Sequence, residues 1–161
     1  LLEFSTGYLV ARGRSAEVID IVDGTYGDIS EVLEDQVGFG ASHFGALAYA
    51  YLEAGHKKES DDLVEAMKTT LDAQRARRID NPYFWINSAR YAVLTGDNDA
   101  AIGHLQSALD RGFASVLTPG PELKLLADDP RFQSFQASAL ARANRESAEL
   151  GWEPYEPPLG L

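Results

Sequence analysis

The chain has 161 residues and no cysteine, and 25 acidic residues against 14 basic ones give it a formal charge of −11. That length suffices for one domain with a real core, and the missing cysteines exclude a disulfide-stapled scaffold and thiol chemistry. The acidic balance repels nucleic-acid phosphates and anionic membranes and favours a basic partner; no apolar run nears the length of a membrane span, so neither nucleic acid nor membrane insertion is expected.

The sequence opens Leu-Leu-Glu-Phe without a Met, as an excised part of a longer protein would. The expected compartment is the cytoplasm, with the periplasm as the open alternative. Residues 1–12 read as the later part of a first helix that Gly13 turns, and residues 16–22 (AEVIDIV) as a second helix. Asp23-Gly24-Thr25-Tyr26-Gly27 is expected to break the period. Residues 28–37 read as a short extra helix capped by Asp28 or Ser30, with Glu31 and Glu34 in its first turn, ended by Gly38-Phe39-Gly40.

Residues 42–53 then start a helix pair whose long second member spans about 57–78. That second helix begins acidic (Glu59, Asp61, Asp62) and ends basic (Arg75, Arg77, Arg78), a distribution that suits the helix dipole. The R-A-R-R run is a solvated helix end on this reading, since the surrounding acidity argues against an anion patch.

Residues 81–113 carry the clearest signals. Asn81 before Pro82 is a helix N-cap followed by the residue favoured at the first helical position. Trp85, Ala89 and Ala92 share one face of a helix over 82–94. Gly96 suits a left-handed helix end, and Asp97 or Asp99 can cap the next helix, about 99–111, with Ala100, Ala101, Leu105, Ala108 and Leu109 as its apolar stripe. A two-helix unit this short must stack on neighbours.

Self-comparison supplies those neighbours. Phe44, Leu47, Ala48, Tyr51 and Gly55 have the spacing of Trp85, Ser88, Ala89, Ala92 and Gly96, and Ser60, Val64 and Met67 that of Ala101, Leu105 and Ala108. The offset is 41 residues throughout, as from Gly55 to Gly96, and a fainter copy at Leu9, Gly13, Val18 and Val22 lies 42 residues before, as from Gly13 to Gly55. A constant offset of this size points to an all-α array of antiparallel helix hairpins.

These units resemble tetratricopeptide repeats, whose pattern runs W-x2-L-G-x2-Y, then A-x3-F, then a late proline. Trp85 and Phe44 stand as the leading aromatic, Leu47-Ala48 and Ser88-Ala89 at the L-G positions, and Tyr51 as the tyrosine; Ala101-x3-Leu105-x2-Ala108 fits the second helix. Ala92 departs from the tyrosine, Ser60-x3-Val64 fits poorly, the late proline is absent, and the period exceeds the usual roughly 34 residues. The expected division is units over about 1–40, 41–80 and 81–113, a cap over 122–150, and an extended Pro-rich tail over 151–161.

In the cap, Pro119 and Pro121 exclude a long helix; residues 122–127 make a turn or two, and Asp129-Pro130 opens a final helix to about residue 150 with Phe132, Phe135, Ala139 and Ala143 on one stripe. Gln133, Ser134, Gln136, Arg142 and Glu146 give it the polar outer face that a terminal cap needs. The segment GF…LKLLADDPRFQSF resembles the ending of repeat arrays in larger bacterial proteins, where the array is an accessory region. Trp152 and Tyr155 are expected to pin the tail to the last helix.

No enzyme constellation stands out, and neither a cofactor nor a metal site is expected. His43, His56 and His104 lack the three- or four-residue spacing that sets two ligands on one helical face. Asp61-Asp62 and Asp128-Asp129 are neighbours that point about 100° apart on a helix, and Asp97-Asn98-Asp99 lacks the later glycine and glutamate of a calcium loop. The resemblance instead implies a concave groove lined by first helices, here Ser42, Gly45, Tyr49, Leu52 and Glu53, then Tyr83, Ile86, Arg90, Val93 and Leu94. The Lys and Asn of the carboxylate-clamp type are replaced by Gly45, Ile86, Tyr49 and Arg90, so that clamp is not carried over. A mixed aromatic and aliphatic groove with one arginine suits an apolar peptide or helix carrying one acid. The expected role is a non-catalytic protein-interaction scaffold. The alternatives are that these residues pack within the array or on another domain of the same protein, or that the chain self-associates as a homo-oligomer.

Overall fold

In the computed structural model, which describes residues 2–34, 40–114 and 120–154 (side chains from residue 6 onward), every described regular element is helical. The elements are α1 (Leu2–Ala11), α2 (Ser15–Tyr26), α3 (Ile29–Glu34), α4 (Ala41–Glu53), α5 (Lys57–Ala76), α6 (Pro82–Leu94), α7 (Asn98–Asp110), a 3-10 segment (Pro121–Leu126) and α8 (Pro130–Glu149).

The array is built from hairpins α1/α2, α4/α5 and α6/α7, stacked so that α4 packs between α1 and α6. Their turns are one motif used three times. Gly13, Gly55 and Gly96 take φ of 72°, 84° and 81°. In each turn the glycine N–H reaches back three residues and the next N–H five: Gly55 N to Leu52 O and His56 N to Tyr51 O, matched by Gly96 to Val93 and Asp97 to Ala92. This closes the orphan carbonyls of each first helix with a residue that tolerates positive φ. The sequence offset of 41–42 residues is therefore the spacing of these turns.

Helix starts follow the capping chemistry. Asn81 Oδ1 accepts from Phe84 N at 2.9 Å, Asp97 Oδ1 from Ala100 N at 2.9 Å, and Asp129 Oδ1 from Arg131 N at 2.8 Å. Asp28 caps α3 through Ser30 N at 2.7 Å.

Three expectations are corrected. α2 does not break at Asp23; it runs through Gly24 to Tyr26 and stops at Gly27, φ 80°. One interior glycine costs only about 1 kcal/mol, and buried Val18 and Val22 hold the helix down. In α5, Leu63 rather than Val64 takes the fully buried place opposite α4. Trp152 does not pin the tail: it is 67% exposed, and only its backbone N–H caps α8 at Ser147 O. Val37, Gly38, Phe39 and Tyr155 lie outside the described residues.

Two apolar clusters fill the stack. One joins α1–α5 through Val10, Val18, Val32, Phe44, Leu47, Leu63 and Met67 and reaches Phe84. The other joins α6, α7, the 3-10 segment and α8 through Ile86, Ala89, Leu105, Leu123, Leu126, Phe132 and Phe135. Ala48 and Ala89, one repeat apart, have no exposed surface and let the first helices approach closely.

α8 departs from simple alternation. Arg131 near its start pairs with Asp99 near the start of α7 at 2.8 Å, and Arg142 donates to the carbonyl of Leu109 near the end of α7. α8 thus runs in the same direction as α7, as a second helix of a fourth unit would. Among the described residues between α7 and α8 the regular element is the 3-10 segment, and it lies across α1, α4 and α6.

Candidate functional site

The face shared by α1, α4 and α6 is where the resemblance placed a groove, and the 3-10 segment occupies it. Pro121, proline-initiated after Gly120, turns the chain so that Glu122, Leu123 and Leu126 point inward, with at most 1% exposure for these three side chains, while Leu125 remains 49% exposed.

Arg90, on the inward side of α6, is 6% exposed and uses all three of its nitrogens. Its Nε donates to Glu122 Oε1, its Nη2 to the carbonyl of Ser42 at 2.7 Å, and its Nη1 to Asn87 Oδ1 at 3.2 Å. One guanidinium therefore ties α6 to α4 and to the 3-10 segment. At the other edge Lys124 Nζ donates to Ala11 O of α1 at 2.6 Å.

Glycine makes this approach possible at two places. A Cβ on Gly45, inside α4, would stand 2.8 Å from Glu122 Oε1; one on Gly120, φ 136°, would stand 2.5 Å from Arg90 Nε. Glycine inside a helix is ordinarily unfavourable, and at position 45 its bare backbone makes room for the carboxylate. Glu122 Oε2 has no hydrogen-bond partner among the described residues.

Of the residues expected to line a groove, Ser42, Tyr49 and Arg90 gather around Glu122. Tyr49 is 6% exposed, and its hydroxyl is pushed up to about 12 by burial first, then by Glu53, with Glu122 adding to it. Glu53 is exposed and accepts from Ser15 Oγ at 2.5 Å, joining α4 to α2. Ile86 and Val93 are buried in the second cluster, and Leu94 packs half-buried on the first. Leu52 is on the surface, and Tyr83 is 70% exposed with its ring edge against Phe113. These positions therefore do not line an open groove: the inner ones are covered by the chain itself.

Sequence reasoning assigned 122–127 to the cap and missed Glu122 as the partner of Arg90. The available signal was charge: a single arginine on an apolar helical face needs a counter-charge, and Pro-Glu-Leu-Lys-Leu-Leu offers one acid ahead of an apolar run.

The other candidates resolve into structural roles. His43 Nδ1 accepts from Gly40 N at 3.2 Å at the start of α4. Asp61 and Asp62 pair with Lys57 and Lys58, one turn back. His104 lies half-buried beside Trp85, 5.5 Å between ring centres, and burial, with Arg75 second, lowers its pKa, Asp97 opposing. Trp85 Nε1 donates to Asp80 at 2.6 Å, and Arg111 sits 4.7 Å over the Trp85 ring while pairing with Asp80. The Arg111 hydrogen bond, then that of Trp85, holds the Asp80 carboxyl below its usual range. Among the described residues no group of three or more His, Cys, Asp or Glu side chains could hold a metal, and no helix is long and apolar enough to cross a membrane.

No protein-family model matches this chain, and no curated protein or solved structure is detectably similar to it.

Proposed function

We propose that the chain is a non-catalytic protein-interaction domain of the tetratricopeptide kind, in which the face shared by the first helices holds a short peptide segment. The observation that supports this is the way that face grips residues 121–126: one buried carboxylate set on an arginine, two leucines buried in the second apolar cluster, and a lysine on a helix-end carbonyl. This combines a charged anchor with apolar insertion, the chemistry by which peptide-binding surfaces gain specificity and affinity. The domain serves as an accessory region of a larger protein, and its acidic surface favours a basic partner around the face.

A second reading has its own observation. Glu122 has no exposed surface and Arg90 only 6%, so the segment is equally suited to be a permanent part of the core, leaving a purely structural domain that packs on its neighbours. Screening a random peptide library against the full chain separates the two. The interaction reading expects binders that slow amide exchange in α1, α4 and α6; the structural reading expects none on that face.

A further inference from the structure

Resting on the interaction reading, we propose that the first-helix face is a receptor for a Glu-Leu-x-x-Leu segment, of which residues 122–126 are the resident copy, and that a peptide of another protein with this chemistry displaces it. Three observations set the code. The receptor offers one cation, Arg90, held in place by Ser42 O and Asn87, so it selects one carboxylate. Gly45 leaves no Cβ where that carboxylate lies, so the site is shaped for the acid and not merely tolerant of it. Leu123 and Leu126, each 1% exposed, fill the second apolar cluster, while Lys124 and Leu125 between them are exposed and do not enter it.

The resident copy is also imperfect. Glu122 Oε2 is buried with no partner among the described residues, a condition that weakens the hold on the segment. Gly120, at φ 136°, bends the chain into the site, a constraint that a free peptide does not share. A competing segment that brings a donor to the second carboxylate oxygen binds the same face better.

The test uses the full chain with Glu122→Ser, Leu123→Ser and Leu126→Ser, which vacates the face, and a labelled peptide GPELKLLAD. The vacated chain should bind this peptide roughly 100-fold more tightly than the wild type, whose own segment competes at high effective concentration. Gln in place of the peptide's Glu should weaken binding about tenfold or more, and Arg90→Met in the vacated chain should erase that Glu preference. If the vacated chain is unfolded alone, recovery of its helical circular dichroism on adding the peptide, and not the Gln version, supports the same conclusion. A folded vacated chain that ignores the peptide, or an unfolded one that the peptide does not rescue, overturns the proposal. So does a wild-type dimer that the peptide dissociates, since the occupant would then be a second copy. Library peptides that bind the face without an acid overturn the Glu-Leu-x-x-Leu code and leave the interaction reading standing; no binder at all overturns both.

Discussion

On the outer helix α5, Lys57–Asp61, Lys58–Asp62 and Lys68–Asp72 pair one turn apart with every partner well exposed to solvent. On the face shared by α1, α4 and α6 the pair among the described residues is Arg90–Glu122, with side-chain exposures of 7% and 0%. The outer pairs are solvated and screened by salt, so each contributes little to stability. The inner pair has given up its hydration, so losing one partner strands a buried charge, which costs about 3–5 kcal/mol. The same two residue classes thus decorate one side of the array and organise the other.

Breaking the inner pair should give the largest effect. Arg90→Met should lower stability by about 3 kcal/mol or more in urea unfolding, and adding Glu122→Leu should recover most of it, because an apolar pair of similar volume needs no counter-charge. A double variant as unstable as Arg90→Met alone would remove the ion pair from the account.

Glycine sharpens the contrast by sign. Gly45→Ala places a Cβ 2.8 Å from the Glu122 carboxylate and should destabilise by about 1–3 kcal/mol. Gly103 lies on the open side of α7 with nothing within 4 Å of an added Cβ. Gly103→Ala should therefore stabilise, by roughly 0.5–1 kcal/mol, as a better helix former in free space. Thermal melts of the two variants should move in opposite directions. On α5, Lys58→Ala should move the melting temperature less than either glycine variant, and salt should diminish even that shift.

The smallest effect concerns pH. His104 has a folded pKa below its ordinary 6.5, chiefly because of burial. The unfolded chain therefore takes the proton first as pH falls. Stability from the neutral histidine is complete above about 6.5 and is lost as pH drops through the lowered folded value. His104→Gln should flatten the decline in melting temperature between neutral and mildly acidic pH; an unchanged slope would place the titration elsewhere.

Much of the fold was legible because its signals are local. Asn81-Pro82, Asp129-Pro130, Gly55 and Gly96 determine helix starts and stops through their own backbone and side-chain chemistry, and the recurrence of these signals at one offset reveals the array. Gly24 misled because tertiary burial of Val18 and Val22 outweighs the propensity of one residue. The site was legible only in half. Ser42, Tyr49 and Arg90 were found because hairpin geometry sets them on one face. Glu122 was not, because its place depends on a chain reversal 32 residues after Arg90, and no local pattern encodes which non-local partner a buried arginine takes. Gly45 inside α4 did not settle the matter, since Gly24 and Gly103 are also helical glycines and have nothing within 4 Å of an added Cβ.

Native-state hydrogen exchange tests most directly whether residues 121–126 behave as a resident ligand. The amides of Leu123 and Ala127 bond to Gly120 and Lys124 within the segment and report its opening. The account predicts that they exchange through a local opening at clearly lower free energy than the amides of α4 and α6, which stay protected. Exchange of all of them only on global unfolding would contradict it, and the segment would then be a fixed part of the core.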